Sequence, residues 1–169
     1  VKETISTNKP RKIFYGIISG LFFAALLSNT TFAYVRTQTY TYKRVGNLEI
    51  KANVYRADDE KVRPVVVWIH GGALIMGGRD GVNKRVKKMF LDAGYAIVSI
   101  DYRLAPETKL PAIIEPFEDD FKELRKKGPE VFNIDASKIA VMGGSAGGYL
   151  SLSVGHRVKL CRTRDVPLW

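Results

Sequence analysis

The chain has 169 residues and a formal net charge of +10, with 27 Lys and Arg residues against 17 Asp and Glu residues. Its length supports one modest domain, and its single cysteine excludes an internal disulfide and a cysteine-based metal site. The basic residues are scattered over helical stretches without interleaved aromatic residues, so they indicate solvated helix faces rather than a nucleic-acid partner.

Residues 1–33 have the order of a secretory signal peptide. Three basic residues lie between positions 9 and 12, an apolar stretch follows at 13–27, and polar and small residues lead to Ala33. We expect cleavage after Ala33, which makes the mature protein secreted or periplasmic. The alternative is a retained membrane anchor, although the apolar stretch is shorter than the ~20 residues that span a bilayer. Membrane contact is expected only through an uncleaved signal peptide.

The sequence after position 33 predicts a hairpin followed by alternating strands and helices. Strands are predicted over 37–43, 48–55, 65–69, 96–100 and 138–142, and helices over 83–93, 115–127 and 149–154. Gly46 and Asn47 form the hairpin turn, Gly94 ends the first helix, and Gly128 with Pro129 ends the second. The apolar stripes predicted to be buried consist of Val86, Met89, Phe90, Phe117, Phe121 and Leu124. This order predicts an α/β fold with a mostly parallel sheet, helices on both faces and an N-terminal antiparallel hairpin.

Residues 143–147 read Gly-Gly-Ser-Ala-Gly between a predicted strand and a predicted helix. The pattern G-x-S-x-G in this context indicates a nucleophile elbow, a sharp turn that presents one serine. Glycines avoid clashes in such a turn, and the hydroxyl of Ser145 would lie at a helix N-terminus, which favours developing negative charge. The alternative is a glycine-rich turn or a phosphate-binding loop, but the Lys-Ser/Thr ending and the G-x-G-x-x-G spacing of such loops are absent.

A second glycine motif directly follows the apolar strand predicted at 65–69. His70, Gly71 and Gly72 come next in the chain, and in acyl-transfer hydrolases a loop of this kind supplies an N–H group to the oxyanion hole. The strand predicted at 96–100 leads into a third segment, DYRLAPE, at 101–107.

The HGG loop, the DYRLAPE segment and the GGSAGG elbow, in this order and spacing, resemble the α/β-hydrolase fold. They are most similar to its carboxylesterase/lipase branch, which includes hormone-sensitive-lipase-like esterases and bacterial acetyl-esterases. The resemblance covers about residues 48–158, so that 34–158 would be the N-terminal part of such a domain. The site residues that it implies are the nucleophile Ser145, the oxyanion-hole residues Gly71, Gly72 and Ala146, and the loop-supporting His70. It implies neither a metal nor a cofactor, and its substrates would be small-molecule, carbohydrate or lipid esters.

Two positions depart from the pattern of these esterases. Ala73 stands where the HGGG loop has its third glycine, and Gly144 stands where many members carry an acidic residue before the serine. The first replacement is tolerated in related branches, and the second alters the charge next to Ser145.

The acid and the histidine that would complete a catalytic triad with Ser145 do not stand where this fold would place them. His156 follows Ser145 by eleven residues, which is ~16 Å along a helix and beyond hydrogen-bond reach. In this fold the acid and the histidine come after the serine, on later strands. Asp101 is therefore expected to make a strand-end hydrogen bond, and Asp119 and Asp120 to lie on a helix surface. Residues 159–169 are basic and unpatterned, which we interpret as a truncation or a frameshift.

Three functions are compatible with these patterns. The first is a secreted serine hydrolase of carboxylic esters, probed by reaction of Ser145 with ester substrates. The second is a catalytically inactive, truncated pseudo-hydrolase or binding protein. The third is a peptidase of the same fold.

Overall fold

A computed structural model of the protein describes residues 34–158. The predicted signal peptide at 1–33 and the predicted irregular tail at 159–169 lie outside these described residues. The elements in chain order are β1 (Val35–Val45), β2 (Leu48–Ala57), β3 (Arg63–Ile69), α1 (Lys84–Asp92), β4 (Ala96–Ile100), α2 (Leu110–Ile114), α3 (Phe117–Phe132), β5 (Ile134–Gly143) and α4 (Ala146–Val158). In this part of the chain no helix has the length and apolar character needed to cross a membrane.

The strands of residues 34–158 form one mixed sheet in the order β1-β2-β4-β3-β5. β1 and β2 form the predicted antiparallel hairpin, whose turn contains Gly46 at φ 59°, and β2 also runs antiparallel to β4. β3 lies between β4 and β5 and is parallel to both. The predicted fold class, a largely parallel sheet with an N-terminal antiparallel hairpin, is therefore confirmed.

Helices cover both faces of the sheet, as predicted. Side chains of β3 alternate between the faces, as strand geometry requires. Val67 and Ile69 belong to the larger cluster, which includes side chains of α3 and α4 such as Phe121 and Leu150. Trp68 belongs to the smaller cluster, against which residues of α1 pack. The sheet thus separates two apolar layers, and the buried strand β3 contributes side chains to both.

The apolar stripe predicted for the first helix is partly wrong. Val86 and Phe90, one turn apart, pack against the smaller cluster, whereas the side chain of Met89 is 54% exposed. The helix spans only nine residues, and the Asn83 side chain caps its start by accepting hydrogen bonds from two backbone N–H groups. A helix this short contacts the sheet along one narrow line, which leaves Met89 on its outer side.

The predicted end of the second long helix at Gly128 and Pro129 is also wrong. α3 continues through Pro129 to Phe132 and ends at Asn133, whose backbone is left-handed at φ 48° and ψ 51°. The ring of Phe132 packs edge-on against Tyr40 of β1, with 4.6 Å between the ring centroids. This tertiary contact holds the last turn in place although proline removes one helical hydrogen bond.

Gly128 has a packing role rather than a terminating one. A Cβ atom on Gly128 would lie 2.6 Å from Cδ1 of Ile134, the first residue of β5. The absence of a side chain therefore lets α3 approach the strand that follows it. The short helix α2, just before α3, was not predicted because five residues are too few to show a helical period.

Candidate active site

The three sequence motifs meet at one edge of the sheet. Ile69, the last residue of β3, is in register with Ile100 at the end of β4 and with Gly143 at the end of β5. Because these strands are parallel, the segments that follow them leave the sheet side by side. Open α/β sheets bind ligands at the carboxyl ends of their strands, so the motifs lie where a site is expected.

The turn between β5 and α4 has the geometry of the predicted elbow. Ser145 lies directly before α4 with φ 54°, a left-handed conformation that is strained for a residue with a side chain. The side of the turn facing the sheet is crowded: a Cβ atom on Gly147 would lie 2.0 Å from the Ile69 carbonyl oxygen, and one on Gly143 would lie 2.4 Å from it. Ser145 itself is exposed.

Gly144 differs from the other elbow glycines. A Cβ atom at this position would have no neighbour within 4 Å. The first side-chain atom of any other residue would therefore meet no neighbour, so a clash at Cβ does not require glycine at this position.

The loop after β3 lies against this elbow. A Cβ atom on Gly71 would lie 2.7 Å from the Gly144 carbonyl oxygen and 3.4 Å from Cβ of Ser145. The structure thus places one of the two predicted loop glycines beside the predicted nucleophile. Ala146, the third residue predicted for the oxyanion hole, is the first residue of α4.

Residues 70–77, which we call the glycine loop, turn back on themselves. The backbone N–H groups of Ile75 and Met76 both donate to the carbonyl oxygen of Gly72 over 3.0 Å. Gly72 has φ 106°, and a Cβ atom on it would lie 2.0 Å from the Met76 carbonyl oxygen, so only glycine fits this turn. Ala73 has φ 52°, which explains why glycine is common at this position in the resembling loops.

His70 lies inside the glycine loop and is 3% exposed. Its Nδ1 is 2.7 Å from the carbonyl oxygen of Gly71. A carbonyl oxygen only accepts, so Nδ1 carries the hydrogen and donates it. A Cβ atom on Gly77 would lie 2.5 Å from the same ring nitrogen, which shows how closely the loop wraps the imidazole.

The DYRLAPE segment holds the glycine loop from the other side. The imidazole of His70 stacks on the ring of Tyr102, with 4.2 Å between the centroids and 14° between the planes. The Tyr102 hydroxyl donates to the His70 carbonyl oxygen over 3.1 Å. The backbone N–H of Ala105 donates to the Leu74 carbonyl oxygen over 2.8 Å.

Asp101 makes the expected hydrogen bond at the end of β4. Its carboxylate accepts from the backbone N–H of Arg79 over 2.8 Å and from the Arg79 guanidinium over 2.6 Å. The hydrogen bond that Arg79 donates to Asp101 is the main cause that raises the pKa of Arg79, which therefore stays charged. Ser99 of β4 also donates to the Arg79 carbonyl oxygen over 2.6 Å. These bonds fix the segment between the glycine loop and α1.

Sequence reasoning missed Tyr102 and Arg79. Each contacts a partner that is distant in the chain, and neither contact follows from the local pattern. The signal that was available is the position of Tyr102 two residues after a buried strand whose end faces the glycine loop.

The chain matches the protein-family model described as BD-FAE over residues 52–162. It belongs to the BD-FAE family. Within the α/β-hydrolases it falls in the hormone-sensitive-lipase-like carboxylesterase branch, so the resemblance stated from the sequence is confirmed.

The matches to three relatives cover most of this BD-FAE chain but less than half of each relative. Esterase LipI of Mycobacterium tuberculosis is 36% identical over 101 residues, which are 60% of this chain and 31% of LipI. The non-reducing polyketide synthase trt4 of Aspergillus terreus is 34% identical over 134 residues, which are 71% of this chain and 5% of the synthase. A bacterial heroin esterase matches with a TM-score of 0.66 at 28% identity, over 82% of this chain and 44% of that chain. The chain therefore spans less than half the length of each relative.

The two histidines of this BD-FAE chain both lie in the described residues. His70 is buried and donates to its own loop, while His156 is exposed in the last turn of α4, at the far end from Ser145. Among residues 34–158, no three His, Cys, Asp or Glu side chains are grouped so that they could hold a metal ion.

The acidic residues of α3 are placed differently from one another. Asp119 is on the surface, as predicted, and pairs with Lys122 at 3.0 Å. Asp120 was predicted on the surface as well, but its side chain is only 16% exposed and pairs with Lys43 of β1 at 2.9 Å. Burial raises the pKa of Asp120, and Lys43 offsets part of this effect.

Proposed function

We propose that the chain is the N-terminal part of a secreted serine hydrolase that cleaves carboxylic esters, with Ser145 as the nucleophile. The observation that carries this proposal is the contact between the glycine loop and the elbow, where Gly71 lies against Gly144 and Ser145. The two loops are fixed independently, one by the end of β3 and the other by the end of β5. Their meeting creates a place where one carbonyl carbon could face the hydroxyl and several backbone N–H groups together.

In the proposed reaction, Oγ of Ser145 attacks the ester carbonyl carbon and forms a tetrahedral intermediate. The electron pair of the C=O bond moves to the carbonyl oxygen, and the N–H groups of Gly71, Gly72 and Ala146 stabilise the resulting oxyanion. The proton taken from the Ser145 hydroxyl passes to the leaving oxygen, so the intermediate expels the alcohol and leaves an acyl-serine. Water then hydrolyses the acyl-serine, which releases the carboxylic acid and restores the serine. His70 supports the loop and takes no part in proton transfer.

The proton of the Ser145 hydroxyl needs an acceptor, which in this proposal is a histidine of the whole enzyme outside residues 34–158. His156 does not serve, because ~16 Å of helix separate it from Ser145. The substrate is proposed to be a small-molecule, carbohydrate or lipid ester. Export is proposed from the order of residues 1–33. N-terminal sequencing of protein recovered from the medium or periplasm, starting at Tyr34, would support export, and a retained N-terminus would contradict it.

A non-catalytic role is a second candidate, and one observation favours it. Among the described residues, His70 donates to its own loop and His156 lies in the last turn of α4, so neither imidazole is placed as the hydrogen-bonded base that activates a serine nucleophile. A chain of this kind could bind an ester in the loop–elbow contact without cleaving it.

One experiment separates the two candidates. The chain is incubated with a fluorophosphonate probe and with p-nitrophenyl acetate, and Ser145→Ala and Ser151→Ala are treated in parallel. Ser151 is a matched control because it lies on the same helix and donates to the Gly147 carbonyl oxygen. Labelling that is lost only in Ser145→Ala supports the hydrolase, whereas wild-type protein without any labelling shows that Ser145 is not a working nucleophile in this chain on its own.

A further inference from the structure

Two predicted oxyanion-hole donors belong to peptide groups whose carbonyl oxygens are both held by side chains. The Gly71 N–H shares a planar peptide group with the His70 carbonyl, and the Gly72 N–H shares one with the Gly71 carbonyl. In a trans peptide the N–H and the C=O point in opposite directions. Any group that fixes the direction of the carbonyl therefore fixes the direction of the N–H as well.

Tyr102 acts on the first of these peptide groups directly. Its hydroxyl donates to the His70 carbonyl oxygen over 3.1 Å, which aims the Gly71 N–H away from Tyr102. Burial raises the pKa of Tyr102, so the hydroxyl keeps its proton and remains a donor at neutral pH. A hydrogen bond accepted by the carbonyl also polarises the peptide group and strengthens its N–H as a donor.

The same tyrosine acts on the second peptide group through His70. Its ring stacks on the imidazole at 4.2 Å, and Nδ1 of that imidazole donates to the Gly71 carbonyl oxygen over 2.7 Å. The side chain of Tyr102 is 7% exposed and packs in the larger apolar cluster, so it gives the imidazole a fixed surface. The direction of the Gly72 N–H thus depends on a ring that Tyr102 supports.

We propose that Tyr102 is a positioning residue that sets the direction of both glycine-loop amides, that of Gly71 through its hydroxyl and that of Gly72 through the stacked His70 ring. This inference rests on the proposed function, in which these amides stabilise the oxyanion. Tyr102 touches neither the substrate nor Ser145 in this scheme and acts only through the loop.

Two substitutions separate the two connections. Tyr102→Phe keeps the stacked ring and removes the hydroxyl, so the Gly71 peptide group alone is released. Tyr102→Leu removes both connections. The control is Tyr40→Phe, because the Tyr40 hydroxyl is bonded to Gln38 on β1, far from the loop along the sheet.

The first measurement is independent of activity. His70-Gly71 is the only His-Gly pair in the chain, so protein labelled with [1-¹³C]histidine and [¹⁵N]glycine gives one selected amide signal, that of Gly71. We expect this signal to shift in Tyr102→Phe and to stay in place in Tyr40→Phe. An unshifted Gly71 signal in Tyr102→Phe would overturn the proposal, whether or not the chain is an active enzyme.

The second measurement is the rate of fluorophosphonate labelling at Ser145. We expect a rate about 10-fold lower for Tyr102→Phe, which loses one hydrogen bond, and about 100-fold lower for Tyr102→Leu, in which both amides are misplaced. Thermal melting in parallel identifies any variant that does not fold, and Tyr102→Phe keeps the test valid if Tyr102→Leu unfolds. Equal rates in folded Tyr102→Leu and wild type contradict the proposal. A wild type that is not labelled shows that Ser145 is not reactive in this chain on its own, which concerns the proposed function and not Tyr102, and the Gly71 signal is then the deciding test.

Discussion

The two glycines on either side of the contact between the loop and the elbow differ in the space around them. A Cβ atom on Gly71 would lie 2.7 Å from a backbone oxygen, whereas one on Gly144 would have open space around it. We therefore expect Gly71→Ala to lower the free energy of unfolding by about 1–3 kcal/mol, because backbone has to move. Gly144→Ala should stay within about 0.5 kcal/mol of wild type.

Urea unfolding of both variants checks this pair, and the comparison is matched because each adds one methyl group at the same contact. Equal destabilisation by the two substitutions would mean that the loop and the elbow are not in contact as described. Fluorophosphonate labelling of the same proteins adds a second readout, since only Gly71→Ala should displace the loop from Ser145.

Ala73 is a residue whose backbone favours a different amino acid. Its φ of 52° lies in the left-handed region, which costs an L-residue about 1–2 kcal/mol. Glycine avoids this strain but gains about 0.4–1 kcal/mol of unfolded-chain entropy. We expect Ala73→Gly to raise the free energy of unfolding by up to about 1 kcal/mol. The control is Ala112→Gly in the short helix α2, which should lower the free energy of unfolding by about 0.5–1 kcal/mol. Lower free energies of unfolding in both variants would contradict the strain at Ala73.

At the scale of the elements, the strands themselves were easier to predict than which strands lie side by side. The runs at 65–69 and 96–100 are almost wholly apolar, which is typical of strands buried on both faces, and both form where predicted. Neither run shows which strands lie next to it in the sheet. The crossover through α1 places β4 between β2 and β3, on the side of β3 that faces the N-terminal hairpin. Such a pairing is decided by packing of the whole sheet.

The site was predictable to the extent that it consists of local motifs. Ser145 and Gly71 come from short patterns of glycine and serine, and the structure brings those patterns together. Tyr102 and Arg79 could not be found in the same way, because Tyr102 contacts a residue 32 positions away and Arg79 one 22 positions away. The roles of all these residues in catalysis stay predictions until the experiments above are done.

α3 contains a proline that the helix tolerates at a cost. Pro129 has no N–H to donate to the carbonyl of Arg125, four residues earlier, although the helix continues to Phe132. We expect Pro129→Ala to raise the free energy of unfolding by about 1–2 kcal/mol after its effect on the unfolded chain is included. Pro116→Ala is the control, because Pro116 stands at the start of α3, where the N–H has no helical partner. A higher free energy of unfolding in both variants, or in neither, would contradict this interpretation of the helix.

Two carboxylates on different elements should respond to pH with opposite signs. A hydrogen bond from Arg63 is the main cause that lowers the pKa of Asp59 below its ordinary value of 3.8. The stability that Asp59 contributes is therefore present above pH 3.8 and is lost as the pH falls through the lowered pKa. Burial raises the pKa of Asp120 above 3.8, so its contribution is largest below pH 3.8 and is lost as the pH rises through the raised value.

Free energies of unfolding of Asp59→Asn and Asp120→Asn, measured between acid and neutral pH, check these signs. Relative to Asp59→Asn, the wild type should gain stability as the pH rises from the acid range. Relative to Asp120→Asn, it should lose stability over the same rise. Slopes of the same sign in both comparisons would show that one of the two carboxylates is not placed as described.

At the scale of the whole molecule, the sheet of the described residues has an edge strand at each end, β1 and β5. β5 is parallel to β3 and is the last strand of the sheet in residues 34–158, so its outer edge presents unpaired backbone groups. Next to it, α4 carries Leu152, which is 78% exposed, and Tyr149, which is 50% exposed. Unprotected edges with apolar neighbours promote association.

We therefore expect the purified chain to associate increasingly with concentration, and we expect a charge beside the β5 edge to reduce this. Leu152→Lys should raise the monomer fraction in sedimentation velocity, because a lysine at this position resists burial against another copy. Met89→Lys is the matched control, since Met89 is 54% exposed but lies on α1, which packs on the opposite face of the sheet. Equal monomer fractions in Leu152→Lys and wild type would mean that association does not use the α4 side. An equal rise of the monomer fraction in both variants would mean that net charge causes the effect, since each substitution adds one positive charge to a chain that already carries +10.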